Sequence, residues 1–410
     1  MPPIFSLNRH SCCGNQHRRL AGCFAVLAAT AVLLFQPASA PAQSVPSQGV
    51  EPDFRSPELD HAGRLTLRLW APDAIQAFIT VDGLHMFLPV PMHKDAQGVW
   101  TYTTPPLPPD IYSYNFVVGG AEIVDPSNHG DPLLINEPPD GQSQVLVPGH
   151  PPQLWEQTDV PHGVVAHHLY RSQIIGTAED YYVYTPPGYN PRQPRLYPVL
   201  FLLHGLGEGA GAWLADGRAN FILDNLIAAG EAVPMVVVMP RSYGIADVTA
   251  LDDDPAAQRR HLQRFTLALL DELLPRVAKD YNISRNPDDH ALAGLSMGGA
   301  EALSIGIAHS EAFAYVGGFS AGLPMLDEDL AKAFPGVEQP ALKRNPRLLW
   351  IACGTDDPLI DQMRTLEQWL SANGTRFTAV ETSGGHEWPV WRRNLAKFAP
   401  LLFHGEPQEY

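Results

Sequence analysis

The sequence predicts an all-β antiparallel sandwich followed by a doubly wound α/β domain, and three observations carry that prediction. From Leu65 to Val147 the chain runs in short alternating segments of β-branched and aromatic residues cut by Gly, Pro and Asp turns, the pattern of strands with one buried face. Beyond a Pro-rich joint at Val147-Pro148-Gly149-His150-Pro151-Pro152, continuous apolar runs alternate with stretches of helical spacing, as in parallel sheets covered on both faces. The 410 residues are 45% hydrophobic and 17% charged, which is enough apolar material for two or three cores and too little charge for a disordered chain.

The first segment has the layout of a secretory signal. Arg9, Arg18 and Arg19 precede an apolar run from Leu20 to Phe35, which ends in small residues up to Ala42. The run falls short of the roughly 20 residues that span a bilayer, so residues 1–42 are expected to be a signal peptide cleaved after Ala42, leaving no membrane span and a secreted or periplasmic chain. Cleavage removes three Arg and no acid, taking the net charge from −17 to −20. Nucleic acids and anionic surfaces draw their affinity from Lys and Arg, so neither is an expected partner. Cys12, Cys13 and Cys23 leave with the signal, and Cys353 remains alone in an apolar run. A lone thiol can form no internal disulfide and no thiolate metal site; Cys353 is expected to be a buried structural residue.

Residues 43–57 form a linker, and 58–148 the sandwich. Its strands are expected at Leu65–Trp70, Ala77–Val81, Val99–Tyr102 and Ile111–Val118, with Tyr112, Tyr114 and Phe116 on one face by period two. Residues 149–165 are a second linker, and 166–405 the α/β domain. Strands are expected at Val199–Leu203, Met235–Met239, Ala291–Ala293, Leu348–Ala352 and Phe377–Val380, and helices over Phe265–Lys279, with Pro275 kinking or restarting the first, and Ile360–Ser371.

Function in such a sheet collects at the carboxyl ends of the strands, and three strand ends carry chemistry. Gly294-Leu295-Ser296-Met297-Gly298 sets a serine between glycines at a strand-to-helix turn, which strains the serine backbone and exposes its hydroxyl. Ser296 is the candidate nucleophile. A serine hydroxyl needs a general base held by a carboxylate, and the chain supplies both in the order serine, acid, histidine: Asp356-Asp357 after the Leu348 strand, and His386 within Gly384-Gly385-His386-Glu387-Trp388. His386 is the base. Asp357 is the first choice of acid and Asp356 the alternative, since spacing does not decide which of two neighbours faces the imidazole. The Leu203-His204-Gly205-Leu206-Gly207 turn lets backbone amides converge on an oxyanion, with the Leu206 and Met297 N–H groups as donors. His204 and the pair His167-His168 are expected to be packed residues. The chemistry calls for no metal and no organic cofactor.

Leu69-Trp70-Ala71-Pro72-Asp73-Ala74, Gly98-Val99-Trp100, Pro109 to Phe116 and Asp125 to Asn128 resemble the E-set, or family 48 carbohydrate-binding, module over about ninety residues. That resemblance implies either glycan binding or a structural wall beside the active site. From Leu169 to Phe403 the chain resembles the α/β-hydrolase-fold esterases that group feruloyl and acetylxylan esterases of carbohydrate esterase family 1 with enterochelin esterases and mycolyltransferases. The resemblance rests on Val183-Tyr184-Thr185-Pro186-Pro187-Gly188-Tyr189, Leu203 to Gly207 with Trp213, Leu273-Leu274-Pro275 leading to Tyr281, Gly294 to Gly299 and Gly384 to Trp391. One departure is Glu179-Asp180, where relatives often carry a basic residue. The resemblance implies a serine carboxylesterase acting on a small ester or an acylated polysaccharide, with Trp213 and Trp388 lining an acyl pocket. The module fusion favours a hydroxycinnamoyl ester on xylan. Acetylated xylan, a siderophore ester, acyl transfer through the same acyl-enzyme, and a non-catalytic glycan-binding scaffold are the alternatives.

Overall fold

The computed structural model describes residues 51–84, 88–128, 141–251, 254–322, 329–334, 337 and 345–404. The predicted secretory segment 1–42 lies outside them. Alternation builds the first domain. In strand Arg64–Trp70 the leucines at 65, 67 and 69 point inward and the intervening residues outward. One sheet sets Glu58–Leu59, Arg64–Trp70, Val99–Pro106 and His93–Lys94 side by side; the other sets Val90–Pro91, Ala77–Val81, Asp110–Val118 and Ala121–Ile123 side by side, with Ser143–Val147 also paired to Asp110–Val118. Tyr112, Tyr114 and Phe116 fill the core between them, as period two requires. Asp110–Val118 departs from simple alternation, because its first seven residues are all buried. Ile111, on the face opposite those aromatics, packs into the core of the α/β domain with Trp155 and Trp391. The sandwich is therefore covered on this face by its neighbour, and both belong to one compact unit, Glu51–Tyr410.

The joint after the sandwich is held by hydrogen bonds of its own. Glu156 is buried and its carboxylate accepts from the amides of Gly149 and Gln153, both at 2.8 Å. The second domain is an eight-stranded sheet among the described residues, in the spatial order Val164–Arg171, Ala178–Thr185, Val236–Pro240, Val199–Leu203, His290–Leu295, Tyr315–Phe319, Leu348–Gly354 and Thr378–Thr382. The first two strands form an antiparallel hairpin at one edge, and the other six run parallel. Apolar clusters cover both faces, as the continuous apolar strands demand. Among the described residues no helix is long and apolar enough to cross a membrane.

Two expectations change. The helix expected over Phe265–Lys279 begins at Pro255, where Asp254 caps it by accepting the Ala256 amide at 2.8 Å, and it widens into a π-helical turn at Ala268–Leu273 before Leu274–Asp280. Pro275 has no N–H to give and would collide with the carbonyl four residues back, so the wider turn accommodates it. His167 and His168, expected to be packed residues, sit on the edge strand Val164–Arg171 with His167 exposed and His168 half-buried. They stack on Tyr182 and Tyr181 across the hairpin with ring centroids 4.1 and 4.8 Å apart.

Candidate active site

Three loops at the carboxyl ends of parallel strands meet over the sheet. The strand His290–Leu295 passes directly into the helix Ser296–Ala308, and Ser296 makes the turn with φ of 50°. A left-handed non-glycine residue stores strain. The turn closes because Gly294 and Gly298 have no side chain: a Cβ on either would stand 2.4 Å from the carbonyl oxygen of Gly298 or of His204.

Ser296 Oγ lies 3.0 Å from His386 Nε2, and His386 Nδ1 lies 2.9 Å from Asp357 Oδ2. A carboxylate can only accept, so Nδ1 carries the proton and Nε2 offers its lone pair to the serine hydroxyl. The sequence puts Asp357 first and Asp356 second as the acid; in the structure Asp356 is exposed and Asp357 is 1% exposed against the imidazole. Burial pushes the Asp357 carboxyl up, but the hydrogen bond and charge of His386, with help from the Leu359 amide and Ser320, outweigh it and hold the group below its ordinary value of 3.8. It stays ionised at neutral pH.

The serine and histidine open onto a cavity of about 180 Å³ lined by Gly205, Leu206, Glu208, Leu295, Glu387, Trp388 and Trp391, together with Asp82 and Gln142 from the sandwich side of the molecule. The first domain thus forms part of the wall. Trp391 stands edge-on to both the His386 ring and Trp388, at 5.0 and 5.3 Å. Leu206 is 38% exposed on the rim. Met297 is the second residue of its helix, where an amide has no intrahelical acceptor.

Trp213 departs from the expectation that it lines the pocket. It is 1% exposed, donates its indole N–H to the Leu203 carbonyl at 2.8 Å and packs edge-on behind Trp388. Its role is core packing beneath the pocket wall. Trp213→Ala should cost about 3–5 kcal/mol of stability, read by urea unfolding; a midpoint equal to wild type would show that the site does not depend on this packing. Trp391 follows Trp388 by three residues, on the same face of helix Trp388–Phe398, and that spacing is its signal in the sequence. Asp82, Gln142 and Glu208 carry no local motif.

The remaining candidates are structural. Cys353 is buried and its thiol is pushed up to about 12, mainly by burial, which leaves it unreactive. His204 is 1% exposed in the turn that follows strand Val199–Leu203. Among the described residues no cluster of His, Cys, Asp and Glu could hold a metal ion.

The Esterase family model matches residues 172–402, and the model of carbohydrate-binding module 48 (isoamylase N-terminal domain) matches residues 52–129. The endo-1,4-beta-xylanase/feruloyl esterase of Xylanibacter ruminicola is 30% identical over 366 residues, covering 88% of this chain and 47% of that protein. The chain thus spans about half the length of this relative. The ferulic acid esterase of the anaerobic fungus Anaeromyces mucronatus is 25% identical with a TM-score of 0.55, covering 60% of this chain and 93% of that one. The enterobactin esterase of Shigella flexneri shares the fold alone, at 18% identity and a TM-score of 0.61 over 82% of this chain and 92% of that one. With its esterase model spanning more than half the sequence, the chain belongs to the Esterase family and carries a carbohydrate-binding-module-48-type domain ahead of its α/β-hydrolase fold.

Proposed function

We propose that the protein is a secreted serine carboxylesterase that cleaves hydroxycinnamoyl, chiefly feruloyl, esters of plant xylan. The observation that carries the reading is the continuous hydrogen-bonded line from Asp357 through His386 to Ser296 at the floor of an open cavity. Ser296 attacks the ester carbonyl while His386 Nε2 takes its proton. Asp357 stabilises the imidazolium, and the amides of Leu206 and Met297 receive the developing oxyanion. His386 then delivers the proton to the leaving alcohol, and a water molecule activated by the same imidazole releases the acid from the acyl-serine. Atoms balance with water as the only co-reactant.

The substrate class rests on the walls. Trp388 and Trp391 give the cavity flat apolar surfaces suited to an aromatic acid, each stacked ring adding about 1 kcal/mol. The feruloyl and ferulic acid esterases among the similar proteins support the same class, and the apolar run of residues 1–42 supports export. The test is kcat/KM for methyl ferulate, a nitrophenyl acetate and a catecholate ester, each with wild type and Trp388→Ala. Ferulate should be preferred, and Trp388→Ala should lower its kcat/KM about fivefold more than that of acetate. Equal loss on both esters, or a preference for the small acyl group, would move the assignment to an acetyl esterase.

A further inference from the structure

The amides on either side of Leu206 are already engaged. Gly205 N–H donates to Glu208 Oε2 at 2.7 Å, and Gly207 N–H donates to the hydroxyl oxygen of Tyr243 at 2.8 Å. Tyr243 is 3% exposed and does not line the cavity. Its ring packs with Leu251 and Met297 in a small apolar cluster separate from the larger cores. One buried side chain therefore bonds the loop that presents the Leu206 amide and shares an apolar cluster with the residue that presents the Met297 amide.

The Tyr243 backbone is held on each side. Ser242 N–H donates to His204 Nε2 at 3.0 Å, and Gly244 N–H donates to His261 Nδ1 at 3.0 Å. His204 Nδ1, 2.7 Å from the Gly205 carbonyl, carries that ring's proton; burial pushes the His204 pKa down to about 4, so the ring remains neutral and keeps its Nε2 lone pair for Ser242. His261 Nε2 in turn lies 2.6 Å from Glu301 Oε1 on the helix that begins at Ser296. The segment 242–244 links the oxyanion loop to the nucleophile helix.

We propose that Tyr243 is a positioning residue that fixes the separation of the Leu206 and Met297 amides; this rests on the serine esterase reading. An oxyanion donor is effective only within about 2.7–3.1 Å of the position the charged oxygen takes in the transition state. Leu206 is 38% exposed, so its own side chain anchors the loop poorly, and the Gly207–Tyr243 hydrogen bond supplies the anchor. Burial raises the Tyr243 hydroxyl to about 12, which keeps it a neutral phenol throughout the working range. Loss of that hydroxyl should weaken binding of the transition state while leaving binding of the ground state in place.

The experiment compares wild type, Tyr243→Phe and Ser296→Ala, all as the full chain, on methyl ferulate and a nitrophenyl acetate. Tyr243→Phe should lower kcat about 10- to 100-fold on both esters with KM within about threefold of wild type. Its affinity for an aryl boronic acid, which forms a tetrahedral adduct on serine, should fall in the same proportion, while inhibition by free ferulate stays unchanged. An unchanged kcat, or equal losses of boronic acid and ferulate affinity, overturns the inference. Should Tyr243→Phe not fold, 3-fluorotyrosine at position 243 keeps the ring and weakens the acceptor; a several-fold loss in kcat supports the inference and none overturns it. If Ser296→Ala is inactive while Tyr243→Phe matches wild type, this inference alone fails. If Ser296→Ala matches wild type, the esterase reading fails and takes the inference with it.

Discussion

Ser296→Ala is expected to reduce kcat for methyl ferulate and nitrophenyl acetate by at least about 10⁴-fold, with the melting temperature held or raised. Cys353 cannot take over the attack proposed for Ser296, because it is buried with its thiol raised to about 12. Any residual rate would come from the oxyanion amides and binding alone, which do not need the hydroxyl. The stability half of the prediction follows from the backbone. Ser296 holds φ of 50°, which the alanine must also adopt, and the one hydrogen bond lost, to His386 Nε2, faces a cavity where water can take it over. Turnover within tenfold of wild type would remove Ser296 from the reaction.

The second large effect is expected at Asp110, far from the reacting atoms. Asp110 is fully buried, and its Oδ1 accepts from Arg392 Nε at 3.0 Å and Arg392 Nη2 at 2.7 Å, while Oδ2 accepts from Arg393 Nη2 at 2.5 Å. Arg392 is itself 1% exposed and also donates to the carbonyls of Asp216 and Ile111. Asp110 opens a sandwich strand, and both arginines lie on the helix that starts two residues after His386. Removing one partner of a buried pair leaves a charge without compensation, so Asp110→Ala should cost about 3–5 kcal/mol and lower the melting temperature by roughly 5–15 °C. Activity should fall below the midpoint of unfolding, because the His386 loop loses its support. The double variant Asp110→Ala with Arg392→Met should recover part of the loss, since no orphaned charge remains. A single variant as stable as wild type would mean that the two domains are joined by other contacts.

Much of the α/β domain was legible because its central strands are apolar on both faces, and a run such as Val199–Leu203 has few other places to go. The elbow at Ser296 was legible for a local reason: two glycines are the only residues that fit between that turn and its neighbours. Elsewhere the local signal misled. Tyr315–Phe319 contains Gly317 and Gly318, which weaken a strand pattern. In the folded chain Phe398 and Leu303 press against them, leaving a Cβ 2.9 and 2.7 Å from those side chains. The linker expected over 149–165 takes in the first two residues of the hairpin strand Val164–Arg171, whose paired histidines find cross-strand tyrosine partners only on folding.

Local motifs point to Ser296, His386 and the Asp356-Asp357 pair, and they carry no trace of the groups that docking brings to the cavity. Adjacent aspartates differ only in which side of one peptide they occupy, and the turn decides between them: Asp356 donates its amide to Gly384 while Asp357 turns inward. Asp82 and Gln142 reach the cavity from another domain, and nothing near them in sequence refers to a serine more than 150 residues away. Tyr243 is a single aromatic in a loop, and only its contacts with Gly207 and Met297 mark it.

The most direct measurement is covalent trapping. A fluorophosphonate should react once per chain, peptide mass analysis should place the adduct on Ser296, and His386→Ala should slow labelling by orders of magnitude because the hydroxyl loses its base. An unmodified protein, or an adduct on any other residue with Ser296 free, would contradict the account.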